Sequence, residues 1–149
     1  MRQIFLLIAI ISMAQLSCNK PVSTFSVPTS PTLLNGKWRM VSVKETASGL
    51  TITKPSSIPG DVDIIFTSKN TDGGFLTGNT PTNTISQSDY STGANQAIKI
   101  PALSMTKVQE TTWGYEFVNS IRNSQKYGFD TDGKLNITTT AKTLTFKKL

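Results

Sequence analysis

Alternation of apolar and polar side chains is the feature that most constrains how this chain can fold. In residues 61–68, Val62, Ile64 and Phe66 fall on one face and polar side chains on the other, which is typical of a half-buried β-strand. The same period of two, with turn residues between the runs, predicts strands at residues 36–44, 50–53, 75–79, 84–90, 96–102, 126–129, 134–138 and 143–147. We therefore expect a mainly β domain, built as an antiparallel barrel-like or strongly curled sheet of about seven or eight strands.

The last three of these runs are joined by short turns and predict a meander. Its inner face is expected to carry six large apolar side chains, namely Tyr127, Phe129, Leu135, Ile137, Leu144 and Phe146.

One segment has a helical period instead. Between residues 112 and 123, the side chains of Trp113, Phe117 and Ile121 recur every fourth position. We expect a single amphipathic α-helix there, capped by Thr111 or Thr112. Such a helix is expected to lie over the sheet or to close one end of a barrel.

The only cysteine, Cys18, ends a short apolar leader. Arg2 is followed by an uncharged run at residues 4–11, which is shorter than the ~20 residues that span a bilayer. These features predict a signal peptide over residues 1–17. The sequence Leu16-Ser17-Cys18 resembles the end of a bacterial lipobox, and this resemblance implies acylation of Cys18. An ordinary signal peptide that leaves a free thiol is the alternative.

Residues 19–32 are rich in Ser, Thr and Pro and contain few apolar side chains, which predicts a disordered tether after the acylated Cys18. The folded domain is then expected over residues 33–149, as a monomer attached to the membrane through its lipid. Asn19 is not the aspartate of the known inner-membrane retention signal, so the outer membrane, facing the periplasm, is the favoured location.

The residue types present exclude several kinds of chemistry. The chain contains no histidine, which excludes Ser-His-Asp and Cys-His nucleophilic sites and the commonest zinc ligand. Asp61 and Asp63 are placed to form an acid–base pair, but we expect them on the solvent side of their strand. The loop at residues 130–133 resembles half of a calcium-binding loop and is better explained as a hairpin turn. We predict no catalytic residues, no metal and no cofactor.

The net charge of +6 is dispersed along the chain, with Lys147 and Lys148 as the densest basic pair. Nucleic-acid binding requires clustered basic side chains with aromatic side chains on one face. We therefore expect no nucleic-acid partner.

The order of several short motifs resembles the META domain found in HslJ-type heat-shock proteins and in many envelope lipoproteins. The matching residues are 34–38, 64–66, 74–79, 89–90, 98–106, Glu116, Phe117, Tyr127 and 135–137. The resemblance implies a small β-rich envelope domain with no established catalytic site. Many META domains carry two cysteines that are missing here, so a redox role is not expected.

Two functions follow as expectations. The first is a non-enzymatic binding or envelope-maintenance module with an unknown envelope partner, for which the polar segment 77–92 is a candidate surface loop. The alternative is a lipocalin-like carrier of a small apolar ligand, since lipocalin-like domains begin in a similar way. Its pocket is expected to be lined by Trp38, Phe66, Phe129 and Phe146, with Trp113 and Tyr115 nearby.

Overall fold

The computed structural model describes residues 31–149, so the predicted signal peptide, Cys18 and nearly all of the predicted tether lie outside the described residues. These residues form nine strands and one α-helix. The strands are β1 (Gly36–Glu45), β2 (Thr51–Thr53), β3 (Asp63–Asn70), β4 (Gly73–Asn79), β5 (Thr84–Gly93), β6 (Ala97–Lys99), β7 (Ser124–Phe129), β8 (Leu135–Thr139) and β9 (Lys142–Lys148). The helix is α1 (Thr112–Ile121).

Eight of the strands close into an antiparallel β-barrel. The order is β1-β3-β4-β5-β6-β7-β8-β9, and the ring closes where β9 pairs with β1. The first half of β1 pairs with β3 and its second half with β2, so β2 is an extra strand beside the ring. The predicted mainly β, barrel-like fold with a single helix is confirmed.

The barrel interior is the hydrophobic core, because alternate residues of each strand point inward. In β3 and its preceding residue, Val62, Ile64 and Phe66 are all buried, as the alternation predicts. The meander β7–β8–β9 contributes five more buried side chains, and its sixth inward residue, Phe129, is partly buried against them.

Helix α1 closes one end of the barrel. Its buried face carries Trp113, Phe117 and Ile121, and the Oγ1 atom of Thr111 accepts a hydrogen bond of 3.1 Å from the amide of Gly114, so the predicted face and cap are present. At the opposite end, a 3₁₀ turn at Pro31–Leu34 buries Leu34 completely. The carbonyl oxygen of Leu34 accepts a hydrogen bond from Trp38 Nε1 at 2.7 Å.

Two predicted elements are shorter in the structure than the sequence pattern indicates. The helix ends at Ile121 rather than at residue 123, because the next residues turn tightly into β7, with the Asn123 amide bonded to the carbonyl of Ser120. The strand predicted over residues 96–102 is only Ala97–Lys99. Pro101 has no N–H to donate, and the amide of Ile100 is instead bonded to a side chain.

Candidate functional site

The two aspartates considered as an acid–base pair belong to a network of ion pairs on the outer barrel wall. Arg39 and Asp63 face each other across β1 and β3, and the guanidinium binds this carboxylate with two hydrogen bonds of 2.7 and 2.9 Å. Arg39 also reaches Asp61 at 2.8 Å. Lys37 and Lys54 complete the network, at 3.2 Å from Asp63 and 2.8 Å from Asp61. We call these five residues the ion-pair face.

The ion-pair face corrects the expectation that Asp63 faces open solvent. Asp63 points away from the core, but only 5% of it is exposed because its cationic partners cover it. The hydrogen bonds from Arg39 lower the pKa of Asp63, and burial of the carboxylate opposes this shift without cancelling it. A general acid at neutral pH needs a raised pKa, so Asp63 is unsuited to that role.

The loop between β7 and β8 is a hairpin turn, in agreement with the preferred interpretation. The Oδ1 atom of Asp130 accepts hydrogen bonds from the backbone amides of Asp132 and Lys134, and the Lys134 ammonium lies 2.9 Å from the Asp132 carboxylate. Both carboxylates are therefore already engaged within the loop. Among residues 31–149, no three acidic, histidine or cysteine side chains are grouped as metal ligands.

The four aromatic residues proposed to line a carrier pocket lie in the core. Trp38, Phe66 and Phe146 are almost completely buried, and Phe129 packs on Trp38 with ring centroids 5.8 Å apart. An eight-stranded barrel has an interior that side chains can fill. The carrier hypothesis therefore requires these packed side chains to move apart, and it stays a prediction.

The segment 77–92 is not a surface loop, and that expectation was wrong. Most of it is strand β5, and Thr80, Asn83 and Ser88 are buried. The amide side chain of Asn83 accepts a hydrogen bond of 2.7 Å from the Val108 amide and donates one of 2.8 Å to the Val108 carbonyl. This side chain holds the connection between β6 and α1 against the barrel, which is a structural role.

A second polar cluster surrounds Glu110, a residue that the sequence analysis did not single out. Its Oε1 atom accepts hydrogen bonds from the hydroxyl of Thr80 and from Asn83 Nδ2. Its Oε2 atom is buried without a hydrogen-bond partner among the described residues and lies where a Cβ on Gly114 would stand. The carboxylate lies against the first turn of α1, where a negative charge is favoured. Glu110 therefore links the β4–β5 turn to the segment that precedes α1.

A depression of about 570 Å³ lies on the outer wall. It is lined by residues 91–93 of β5, 97–99 of β6, 122–125 at the start of β7, and Thr140. We call it the β6–β7 groove. It exists because β6 and β7 share a single register pair, Ala97 with Lys126, so the two strands diverge. The Ile100 amide bonds to the Ser124 hydroxyl at 3.2 Å instead of continuing the ladder.

The β6–β7 groove has a mixed lining, in which apolar surface lies between the polar groups and two side chains carry positive charge. Lys99 and Arg122 are both exposed there, and no carboxylate lines this groove. Within the described part of the chain, neither cation has an ion-pair partner. Arg122 follows the last turn of α1, where a cation also stabilises the helix dipole. Hydroxyl and amide groups make up most of the remaining polar lining, including Asn123 and Gln125.

Two further depressions continue the groove in both directions. One of about 270 Å³ shares Thr92 and Gly93 with it and ends at Asp72 and the buried Tyr127. Another, of about 390 Å³, shares Asn123 and Thr140 with it. This third depression runs along α1 past Glu116, Asn119 and Lys142 to the ring of Tyr115, which is 60% exposed. The three depressions are neighbours that share lining residues, and we call them together the long groove.

The long groove joins residues that no sequence motif connects. Lys99 and Arg122 lie on separate elements and line the same groove only because the barrel closes. In the sequence, Arg122 falls within the predicted helical segment and outside its apolar repeat of Trp113, Phe117 and Ile121.

No protein-family model and no curated protein matches the chain. Among solved structures, an NMR structure of a protein from Burkholderia xenovorans is similar, with a TM-score of 0.56 and 16% sequence identity. The match covers 87% of this chain and 96% of that chain. At this identity the likeness extends to the fold alone. The META resemblance stays a prediction.

No helix in the described region is long and apolar enough to cross a membrane. The leader and Cys18 precede this region, so acylation also stays a prediction.

Proposed function

We propose that this chain is a lipid-anchored protein of the bacterial cell envelope whose β-barrel is a binding module rather than an enzyme. The anchor is Cys18, at the end of a leader with a charged start and a short apolar run. Two or more acyl chains hold a protein on a membrane stably, whereas one chain does not. The favoured location is the outer membrane.

The observation that carries the proposal is the contrast between the barrel interior and its outer wall. Large side chains such as Trp38, Phe66 and Phe146 occupy the interior, whereas the β6–β7 groove is open to solvent and combines apolar surface with several polar side chains. Ligand sites are concave surfaces with a few convergent polar groups. Binding at the wall therefore requires no rearrangement of the core.

The state of the carboxylates supports a binding module over an enzyme. Asp61 and Asp63 are held by Arg39 and two lysines, and the lowered pKa of Asp63 opposes a role in proton transfer. The META resemblance agrees with this proposal, because it implies an envelope domain without an established catalytic site.

Lipid attachment is tested by growing bacteria that express the full chain with an alkyne analogue of palmitate. We expect the label on the wild-type protein and on Ser17→Ala, which keeps a small residue before the cleavage point. We expect no label on Cys18→Ala. Mass spectrometry of the mature protein gives a second readout. An unmodified N-terminus, or cleavage at another position, would contradict the proposed anchor.

The binding role is tested by crosslinking in intact cells, followed by recovery of the wild-type and Cys18→Ala proteins. We expect the wild-type chain to capture envelope components that the unanchored variant captures less efficiently. Equal recovery from both proteins would show that anchoring is irrelevant to binding.

A further inference from the structure

We infer that the long groove binds an extended anionic carbohydrate, a sugar chain that carries carboxylate or phosphate groups. The inference deepens the proposed function by naming a ligand class, and it rests on the barrel being a binding module. It does not depend on the lipid anchor.

The shape of the long groove favours a chain-like ligand. The β6–β7 groove shares Thr92 and Gly93 with one neighbouring depression and Asn123 and Thr140 with the other. A ligand that follows these shared residues passes from the β3–β4 turn at one end of the barrel to α1 at the other. A small compact molecule would occupy only one of the three sections.

The chemistry of the lining favours sugar hydroxyls. Most polar side chains along the long groove carry hydroxyl or amide groups, and those at the solvent side, such as Asn119, Asn123 and Gln125, can both donate and accept hydrogen bonds. Sugars present the same mixture of donors and acceptors. A peptide added as a strand would instead need pockets for alternate side chains.

The charges favour an anionic sugar over a neutral one. Lys99 and Arg122 stand in the middle section, where no carboxylate neutralises them. The two ends differ from this section, because Glu116 is paired with Lys142 at 2.5 Å beside α1 and the carboxylate of Asp72 lies at the β3–β4 turn. Positive charge is therefore concentrated in the central section. Arg also binds carboxylate and phosphate groups with two parallel hydrogen bonds.

Tyr115 completes the long groove at the α1 end. Its ring is 60% exposed beside the third depression, where it offers a flat apolar surface. A pyranose ring has a face of C–H groups that can stack on such a surface. Tyr115 is expected to contribute to the binding of long oligosaccharides and little to the binding of a single sugar.

The test uses the purified full-length protein in a neutral detergent and measures binding by isothermal titration calorimetry. Three probes are compared, which are hexagalacturonate, maltohexaose and inorganic phosphate. The two sugars have the same number of residues and differ in carboxylate content. We expect hexagalacturonate to bind at least tenfold more tightly than either of the other probes.

Variants then locate the binding site. We expect Lys99→Gln combined with Arg122→Gln to weaken hexagalacturonate binding about tenfold, which corresponds to about 1.4 kcal/mol. The control combines Lys44→Gln with Lys147→Gln, which removes the same charge outside the groove and should leave binding unchanged. Tyr115→Ala should weaken the binding of hexagalacturonate and leave the binding of monomeric galacturonate unchanged. Circular dichroism checks that each variant is folded.

Three outcomes overturn the inference. The first is that hexagalacturonate does not bind at millimolar concentration, and the second is that hexagalacturonate and maltohexaose bind equally. The third is that the groove variant and the control variant lose the same affinity for hexagalacturonate. The Cys18→Ala chain separates this inference from the proposed anchor. If the Cys18→Ala chain is unlabelled by palmitate and still binds hexagalacturonate, the proposed anchor and the proposed carbohydrate site are both supported. If the wild-type chain is unlabelled and binds hexagalacturonate, only the proposed anchor is contradicted.

Discussion

The two sides of the barrel use their charges in opposite ways. On the ion-pair face, β1 pairs with β3 at four positions and β3 with β4 at seven, and Asp63 is covered by Arg39 and Lys37. Around the β6–β7 groove the ladder has one register pair, and Lys99 and Arg122 have no acidic partner among residues 31–149. The first side stabilises the fold, whereas the second leaves polar groups available to a ligand.

The strands are also packed more tightly on the ion-pair side than beside the β6–β7 groove. Substitution of one glycine on each side tests this difference, and we expect it to give the largest effect. Gly78 has a φ of +148°, and a Cβ there would overlap the carbonyl oxygen of Asp63 on the neighbouring strand. Gly93 has extended backbone, and its Cβ would lie 3.7 Å from the Cβ of Ala97, an ordinary contact. We expect Gly78→Ala to lower the free energy of unfolding by about 3 kcal/mol.

The matched variant Gly93→Ala should change that free energy by less than about 0.5 kcal/mol. Guanidinium-induced unfolding followed by tryptophan fluorescence measures both variants. Equal destabilisation would contradict the contrast between a tight wall and an open wall.

Removal of the Asp63 charge tests the ion-pair face. We expect it to have the next largest effect on the free energy of unfolding. Asp63→Asn leaves Arg39 and Lys37 without their carboxylate, and we expect a loss of about 2 kcal/mol in the free energy of unfolding. Asp89→Asn is the control, since Asp89 is exposed on β5 and has no ion pair among the described residues. Its effect should be close to zero. A loss as large as that of Asp63→Asn would show that total charge, and not this network, matters.

The pH dependence of stability gives an independent test of the same network. The pKa of Asp63 is lower in the folded state than the ordinary aspartate value of about 3.9. Between these two pKa values the unfolded chain binds more protons than the folded chain, so stability falls as the pH falls. Unfolding measured from neutral pH to below pH 4 should therefore show the wild type and Asp63→Asn converging in acid. If the difference in stability between the wild type and Asp63→Asn stays constant with pH, Asp63 is not ionised in the folded state and the prediction is contradicted.

The parts of the fold that depend on local pattern were predictable from the sequence. Apolar and polar residues alternate in β3 and in the β7–β9 meander because each strand buries only one of its two faces. Trp113, Phe117 and Ile121 recur every fourth residue because α1 buries one face. The site was not predictable in this way. Arg39 reaches Asp63 across paired strands. The β6–β7 groove arises where the ladder between these strands stops after Ala97, which depends on closure of the whole barrel.

The turn between β5 and β6, beside the β6–β7 groove, is expected to give the smallest effect. Asn95 and Gln96 both have positive φ, at 57° and 61°. Asn tolerates positive φ better than Gln does. In Gln the Cβ atom crowds the backbone at positive φ, whereas Gly has no Cβ atom. We expect Gln96→Gly to raise the free energy of unfolding by about 1 kcal/mol, and the control Asn95→Gly to raise it less. Thermal and chemical unfolding measure both variants. A loss of stability in Gln96→Gly would mean that the Gln96 side chain supports this wall, and the groove side would then be as firmly built as the ion-pair face.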